Sequence, residues 1–488
     1  MIMKNKLLFV LLFPALFTIS CSDWLDVKPR QQIEADVLFG REEGFKDALA
    51  AVYLNMITPS MYGTEMTFGL VDVLGIVYPT TGRDYTYAKE HNYDYPFVEG
   101  LITNIWQTSY NTIANLNNLI DHLRKADPTM FSQDNYNVIL GEALGLRAFI
   151  HFDLLRLFAP SYKSNPTAQA IPYISKYEFK ITPQSTVTAV LDSVLRDANE
   201  ALSLLKISDP VYTGREISTF EDDGYLLNRK DNMNYYAVTA FKARVHLYRD
   251  DLSNAAQCAE EVIQSEVARW VTFSEISGAE PDMRDRALSP EHIFSFDCRN
   301  LTELANSRLA RLSGGGPSTL VRLSFPQVYL NTTLFPRSDD WRYRFLFRLP
   351  VNSINPADDF ECIKFGAIGV SPNMGFRNLL PVMRLPEVYL ILAEALLPTN
   401  PTRSAELVNE MTINRGIAGG IVVQGASVET IRQAIFDEFR REFVAEGQLF
   451  FYHKRLDLPA IAGGPPFFDK SKYVLPMPVE EVEFGKRN

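Results

Sequence analysis

Cysteine is scarce in this chain. Its 488 residues include four, namely Cys21, Cys258, Cys298 and Cys362. The three beyond Cys21 do not make a disulfide framework; one bridge has room to form, and neither its presence nor its partners are legible. Histidine is also sparse, six in all. His91, His122, His151, His246, His292 and His453 include no close pair and no His-Glu-x-x-His, which removes the usual zinc-hydrolase site. His151 and His246 fall within helical patterns, where packing is the expected role. Cys-x-x-Cys, a Gly-x-Ser-x-Gly elbow and a Gly-x-x-x-x-Gly-Lys phosphate loop are missing as well. Positive charge is in deficit: 48 Lys and Arg against 59 Asp and Glu leave −11. With no basic run, a nucleic-acid surface is excluded. Beyond the first 20 residues no apolar run is long enough to span a bilayer. The longest candidate, around Leu385–Leu397, is broken by Pro386, Glu387 and Glu394. No cofactor and no metal are expected. Glu221-Asp222-Asp223 before Gly224 offers oxygen ligands without the spacing of a calcium loop, so a solvated turn is the reading. A glycosidase needs only two carboxylates across a bond, and 59 acidic residues always supply a pair.

What is present begins with an address. Lys4 and Lys6 precede an apolar run, Leu7 to Ile19, interrupted by Pro14 and Thr18, and Ser20-Cys21 follows. This is the layout of a secretory signal peptide, too short to cross a membrane as a helix. A cysteine directly after a small residue resembles a bacterial lipobox. Residues 1–20 are therefore expected to be removed and Cys21 to carry a lipid anchor. Residues 21–488 are expected to form a single domain.

Apolar residues recur at helical spacing over Glu42–Met56, Ile105–Lys125, Asp134–Phe158, Val187–Leu205, Met233–Tyr248, Ser253–Ser265, Leu385–Leu397, Thr402–Arg415 and Val428–Glu446. The pair 233–248 and 253–265 is joined by Arg249-Asp250-Asp251. Alanines at 237, 240, 243, 255, 256 and 259 suit close helix contact. It reads as a tetratricopeptide hairpin, a repeat of about 34 residues that buries its apolar face only by stacking. Two irregular segments, about 58–99 and 267–383, interrupt the helices. Segments of that length carry function or fold as subdomains. The fold class is mainly α: a tetratricopeptide-like helical hairpin scaffold with long irregular loop segments and a few short strands.

Several stretches together resemble the SusD/RagB family of Bacteroidetes outer-membrane lipoproteins. They are Cys21-Ser22-Asp23-Trp24-Leu25-Asp26-Val27-Lys28-Pro29, Gly141–Phe158 (GEALGLRAFIHFDLLRLF), Met383–Ala395 (MRLPEVYLILAEA), Ile413-Asn414-Arg415, Arg441–Gly447 (REFVAEG) and Tyr473–Glu480 (YVLPMPVE). The chain departs from the family after Gly447, where Leu449-Phe450-Phe451-Tyr452-His453 stands in place of an Arg-Trp-Phe-Asp-Leu run. The resemblance implies a non-catalytic protein on the outer-membrane surface. It would capture an oligosaccharide, or in some members a peptide, and close over a TonB-dependent (SusC-like) barrel. It also implies that the irregular segments form the ligand face. A surface-anchored hydrolase and a purely structural helical adaptor are the rivals.

Val77–Phe97 (VYPTTGRDYTYAKEHNYDYPF) is the candidate ligand segment. Tyrosine pairs a flat apolar face with a hydroxyl, which matches the C–H patches and hydroxyls of a sugar. The candidate contacts are Tyr78, Arg83, Asp84, Tyr85, Tyr87, Asn92, Tyr93 and Tyr95, with Tyr85 and Tyr93 as anchors. In an extended strand Tyr85 and Tyr87, like Tyr93 and Tyr95, would point the same way. Two other placements satisfy the pattern: rings lining a buried hairpin, or rings facing the transporter. Trp106 is assigned to the core, and Trp341 and Tyr343 to structure. The 297–320 loop has no aromatic residue, which keeps a peptide ligand open.

Overall fold

A computed structural model of the chain describes residues 35, 37–218, 224–280, 283–309, 322–350, 353, 359–366, 374–465 and 468–487. Cys21 with the segment before it, Glu221-Asp222-Asp223, and Gly314-Gly315-Gly316 lie outside them. The chain divides into two units, Met1–Asp47 and Ala48–Asn488. The first contains the opening of α1 (Glu42–Met56), with Glu42 and Glu43 in its first turn, where the helix dipole favours acid. The second contains the scaffold and both irregular segments.

The protein is mainly helical, and among the described residues the strands are short. The first irregular segment holds α2 (Arg83–Lys89). The scaffold follows as α3 (Pro96–Leu123), α4 (Asn135–Phe158), α5 (Val187–Ser208), α6 (Tyr235–Tyr248) and α7 (Leu252–Gln264). The second irregular segment contains α8 (Leu301–Leu309). The chain then returns as α9 (Leu385–Leu396), α10 (Pro401–Ile413), α11 (Val428–Glu442) and α12 (Leu449–Arg455). Successive helices from α3 to α7 pack on one another, α9 packs on α7, and α10 packs on α9. This is the stacking of helical hairpins that the alanine pattern predicts, and Ala237, Ala240, Ala243, Ala255 and Ala259 are all buried.

Helix α4 is the axis of the core. Val138 to Phe158 is buried at every position, charged residues included. A helix buried all round must pair its charges internally, because an unpaired buried ion costs several kcal/mol. Arg147 Nε donates to Asp197 at 2.7 Å, Arg156 pairs with Asp153, and Glu142 pairs with Arg229. Gly141 sets the spacing to α5: a Cβ there would lie 2.7 Å from Leu205.

Helix α3 starts at Pro96, rather than at the Ile105 expected from periodicity. Pro96 occupies the first helical turn, where its missing N–H costs nothing. Two antiparallel pairings fasten the irregular segments. β1 (Thr80–Thr81) and β3 (Leu323–Ser324) align Thr80 with Ser324 and Thr81 with Leu323. β2 (His292–Asp297) and β4 (Leu379–Arg384) align His292 with Arg384 and Asp297 with Leu379. The β1–β3 pair brings the two irregular segments together. Cys258, Cys298 and Cys362 are free thiols. Among the described residues no helix is long and apolar enough to cross a membrane.

Candidate functional site

The expected strand carrying Tyr85 and Tyr87 is a helix. Arg83–Lys89 follows Gly82, with Asp84 in its first turn and Lys89 in its last, a charge order that suits the helix dipole. Helical spacing sends neighbouring tyrosines to different faces. Tyr85 is fully buried, beside Ala88. Its hydroxyl donates to Glu65 Oε2 at 2.7 Å and accepts from Arg308 Nε of α8 at 3.2 Å. Its ring meets Phe97 edge-on at 5.4 Å. Tyr78 is fully buried too, donating to Asp72 at 3.0 Å. Tyr93 is 5% exposed and donates to the Lys472 carbonyl. Burial pushes the hydroxyls of Tyr78, Tyr85 and Tyr93 far above their usual pKa, so they are neutral donors. The expectation that Tyr85 and Tyr93 stand out as surface anchors is therefore corrected. With Tyr78, they are the frame of the segment.

Tyr87 and Tyr95 remain at the surface, half-buried. Their rings stack at 3.7 Å between centroids and 18° between planes. The turn between α2 and α3 makes this contact. His91 holds a left-handed backbone, φ 55, the Asn92 amide donates to the Tyr87 carbonyl at 2.9 Å, and Tyr95 caps α3. His91 is buried, and burial lowers its pKa to about 4. Around the stacked pair, Arg83 is 71% exposed and only 3.7 Å from Asp84 Oδ1. Asn92 and Asp94 are exposed. The arrangement is a partly exposed aromatic pair flanked in the chain by the Arg83–Asp84 ion pair and the exposed Asn92 and Asp94, groups able to stack on a flat C–H face and hydrogen-bond hydroxyls. α8 brings Arg308 to the buried frame behind it and contributes no ring.

A second cluster gathers the family-like motifs of the sequence. Arg384 precedes α9, Arg415 follows α10, and Glu442 ends α11. Arg415 donates to both oxygens of Glu291, each at 2.7 Å, and to both of Glu442, at 2.8 and 3.0 Å. Arg384 donates to Glu291 at 3.0 Å, Glu442 at 2.8 Å and Glu446 at 2.5 Å. Arg342 joins through Asp340 at 2.7 Å and Glu442 at 2.9 Å, and Lys364 pairs with Glu446. Every one of these residues is buried. Burial alone would raise the Glu442 carboxyl, but Arg415, Arg384 and Arg342 hold it well below the usual range. Gly447 closes the motif at φ 69, where a Cβ would fall 2.1 Å from the Met66 carbonyl oxygen. Its amide donates to Asp72 at 2.8 Å, and burial raises Asp72 to about 8. The departure after Gly447 is a core helix: Phe451 lies under Arg156 at 3.7 Å and Tyr452 packs on Phe439 at 4.3 Å. Trp106 is core, as expected, 3% exposed.

The fold is a helical-repeat scaffold with two inserted segments that pair through β1 and β3, the first of which carries the stacked tyrosines. A family model described as starch-binding and associating with the outer membrane matches residues 23–216, and the SusD family model matches residues 370–477. A SusD-like protein of Formosa agariphila is 24% identical over 497 aligned positions, covering 88% of this chain and 86% of its own. A solved SusD superfamily protein of Bacteroides thetaiotaomicron superposes with a TM-score of 0.70 at 21% identity, covering 92% of this chain and 99% of that one. A laminarin-binding SusD-like protein superposes at 0.64 and 19% identity, covering 92% and 98%. The chain belongs to the SusD/RagB family, whose members associate with the outer membrane.

Proposed function

We propose that this protein is a non-catalytic glycan-capturing lipoprotein of the cell surface. The observation that carries the reading is the half-buried Tyr87–Tyr95 stack at the surface, next to a buried tyrosine frame and flanked in the chain by Arg83, Asn92 and Asp94. Aromatic anchors of this kind concentrate binding energy, roughly 2 kcal/mol or more each. Asp84 and Asn92 serve as hydrogen-bonding partners. The family models and the laminarin-binding neighbour support a glycan as the ligand class. In this reading Cys21 holds the lipid, and the protein delivers its ligand to a TonB-dependent barrel in the same membrane. One acyl chain anchors only marginally, so the anchor has at least two. A peptide ligand is the second reading, favoured by one observation: α8 adds no ring to the platform.

Two experiments test this. Saturable binding of an oligosaccharide panel without product formation supports capture, and turnover supports a hydrolase instead. Cys21→Ala is expected to release the protein from the membrane fraction and to end its co-purification with a barrel from mild detergent. A mutant that stays membrane-bound removes the anchor from the account.

A further inference from the structure

A cleft of about 980 Å³ lies away from the tyrosine segment, at the end of α7 and the start of α9. That volume is at the upper end of what small-ligand sites enclose. None of its lining residues belongs to 77–97. Trp270 and Phe376, both half-buried, supply its aromatic surface, and Tyr389, 7% exposed, is buried beside Trp270. The Trp270 ring is fixed from behind. Arg415 of the buried network lies over it at 5.2 Å, and Tyr389 meets its edge at 4.9 Å and 63°. The backbone on either side is pinned as well. The Arg269 amide donates to the Pro290 carbonyl at 3.0 Å, and the Val271 amide to Glu291 Oε1 at 3.2 Å. Tyr389 in turn donates to Glu410 at 2.6 Å.

The charges of the cleft give its chemistry. Lys230 and Arg269 face Glu266, Glu275, Asp285 and Glu410. Arg269 and Glu275 are committed to each other, at 2.6 and 3.0 Å. Lys230 and Glu266 are exposed and form no ion pair among the described residues. The lining is net negative, which disfavours an acidic glycan. It still offers acceptors for hydroxyls and one free ammonium donor.

We propose that this cleft is a second saccharide site, separate from the tyrosine platform, that takes a neutral oligosaccharide on Trp270, which Tyr389 supports from within, with Glu266 and Lys230 at the rim. It rests on the reading of the protein as a glycan binder and adds a site to it. Of the four tryptophans, Trp24, Trp106, Trp270 and Trp341, Trp270 is the one that lines this cleft, so a signal lost in its Phe variant reports this site. Neutral laminari- and malto-oligosaccharides are titrated into the full mature protein by calorimetry and by indole fluorescence. Saturation is expected to change the fluorescence. The change should disappear in Trp270→Phe and persist in the Tyr87→Ala, Tyr95→Ala double variant. Glu266→Ala and Lys230→Ala, both at exposed positions, should weaken the fluorescent phase at least about fivefold, a factor worth about 1 kcal/mol, at an unchanged melting temperature. Calorimetric binding with a silent Trp270, or a fluorescent phase lost in the double tyrosine variant, overturns the second site while leaving the capture reading standing. A Trp270 signal given only by an acidic glycan or a cationic peptide overturns the assigned chemistry. Absence of glycan binding by both methods overturns the capture reading and this site with it.

Discussion

The tyrosine segment and the buried charge network are made of the same groups, carboxylates, arginines and aromatic rings, and use them in opposite ways. In the network every charge is consumed. Arg415, Arg384 and Arg342 converge on Glu442, and no side chain of the cluster reaches solvent. In the tyrosine segment the inner half is consumed likewise, through Tyr78–Asp72 and Tyr85–Glu65. The outer half leaves Tyr87, Tyr95, Arg83 and Asn92 at the surface. The difference lies in which side chains the fold leaves unsatisfied. The motifs that mark the family secure the scaffold, and the proposed ligand chemistry sits where partners run out.

Substitutions should divide along that line. The largest effect is expected in the network. Glu442→Ala leaves three buried arginines short of an anion and should cost about 3–5 kcal/mol, the range for a broken buried pair. Thermal unfolding checks this, and a melting temperature near that of the parent would mean the cluster is open to water. Tyr85→Ala comes next, at about 3–5 kcal/mol for a buried aromatic, without the added charge penalty. Were Tyr85 a surface anchor, the same change would leave stability intact and weaken binding.

Acid should weaken the core before it touches the platform. Burial holds His91 at about 4 and His151, His292 and His453 at about 3. The unfolded chain protonates these groups near 6.5, so below that pH it binds protons that the folded chain does not. Stability is then lost as pH falls from about 6.5 toward 4. Asp72, raised to about 8, Asp285, raised to about 6, and Asp231, raised by burial, work the other way: the folded chain keeps their protons and gains stability over the same descent. Four histidines oppose these three carboxyls, and Asp285 takes up its proton only in the lower part of the range, so the melting temperature should drop on acidification from pH 7 to 5. Replacing a single buried histidine by Gln should flatten the slope, and an unchanged slope would count against its burial.

Much of the scaffold was legible. Alanine spacing in 233–265 and the apolar period of 134–158 depend on local sequence, and the helices fall there. The frame of the candidate site was less so. Six aromatic residues in 77–97 promise a surface, but which of them face water is settled by partners outside the segment: Asp72, six residues before Tyr78, Glu65, twenty before Tyr85, and Arg308, 223 residues beyond Tyr85. One local sign was available for α2, with Asp84 and Lys89 placed as a helix prefers, and the tyrosine spacing obscured it. Trp270 carried no local signal. Its setting comes from Arg415 and Tyr389, which the chain reaches more than a hundred residues later.

The smallest stability effect, and the largest on binding, is expected at the stacked pair. Tyr87→Ala and Tyr95→Ala should each shift stability by about 1 kcal/mol or less, the worth of a partly exposed ring contact. Calorimetric titration of neutral oligosaccharides into the parent and these two variants tests the central claim most directly. The account predicts saturable binding to the parent whose phase not reported by Trp270 weakens at least about tenfold in each variant, equivalent to about 1.4 kcal/mol, with the melting temperature nearly unchanged. Parental affinity in both variants would contradict it and move the ligand away from the tyrosine platform.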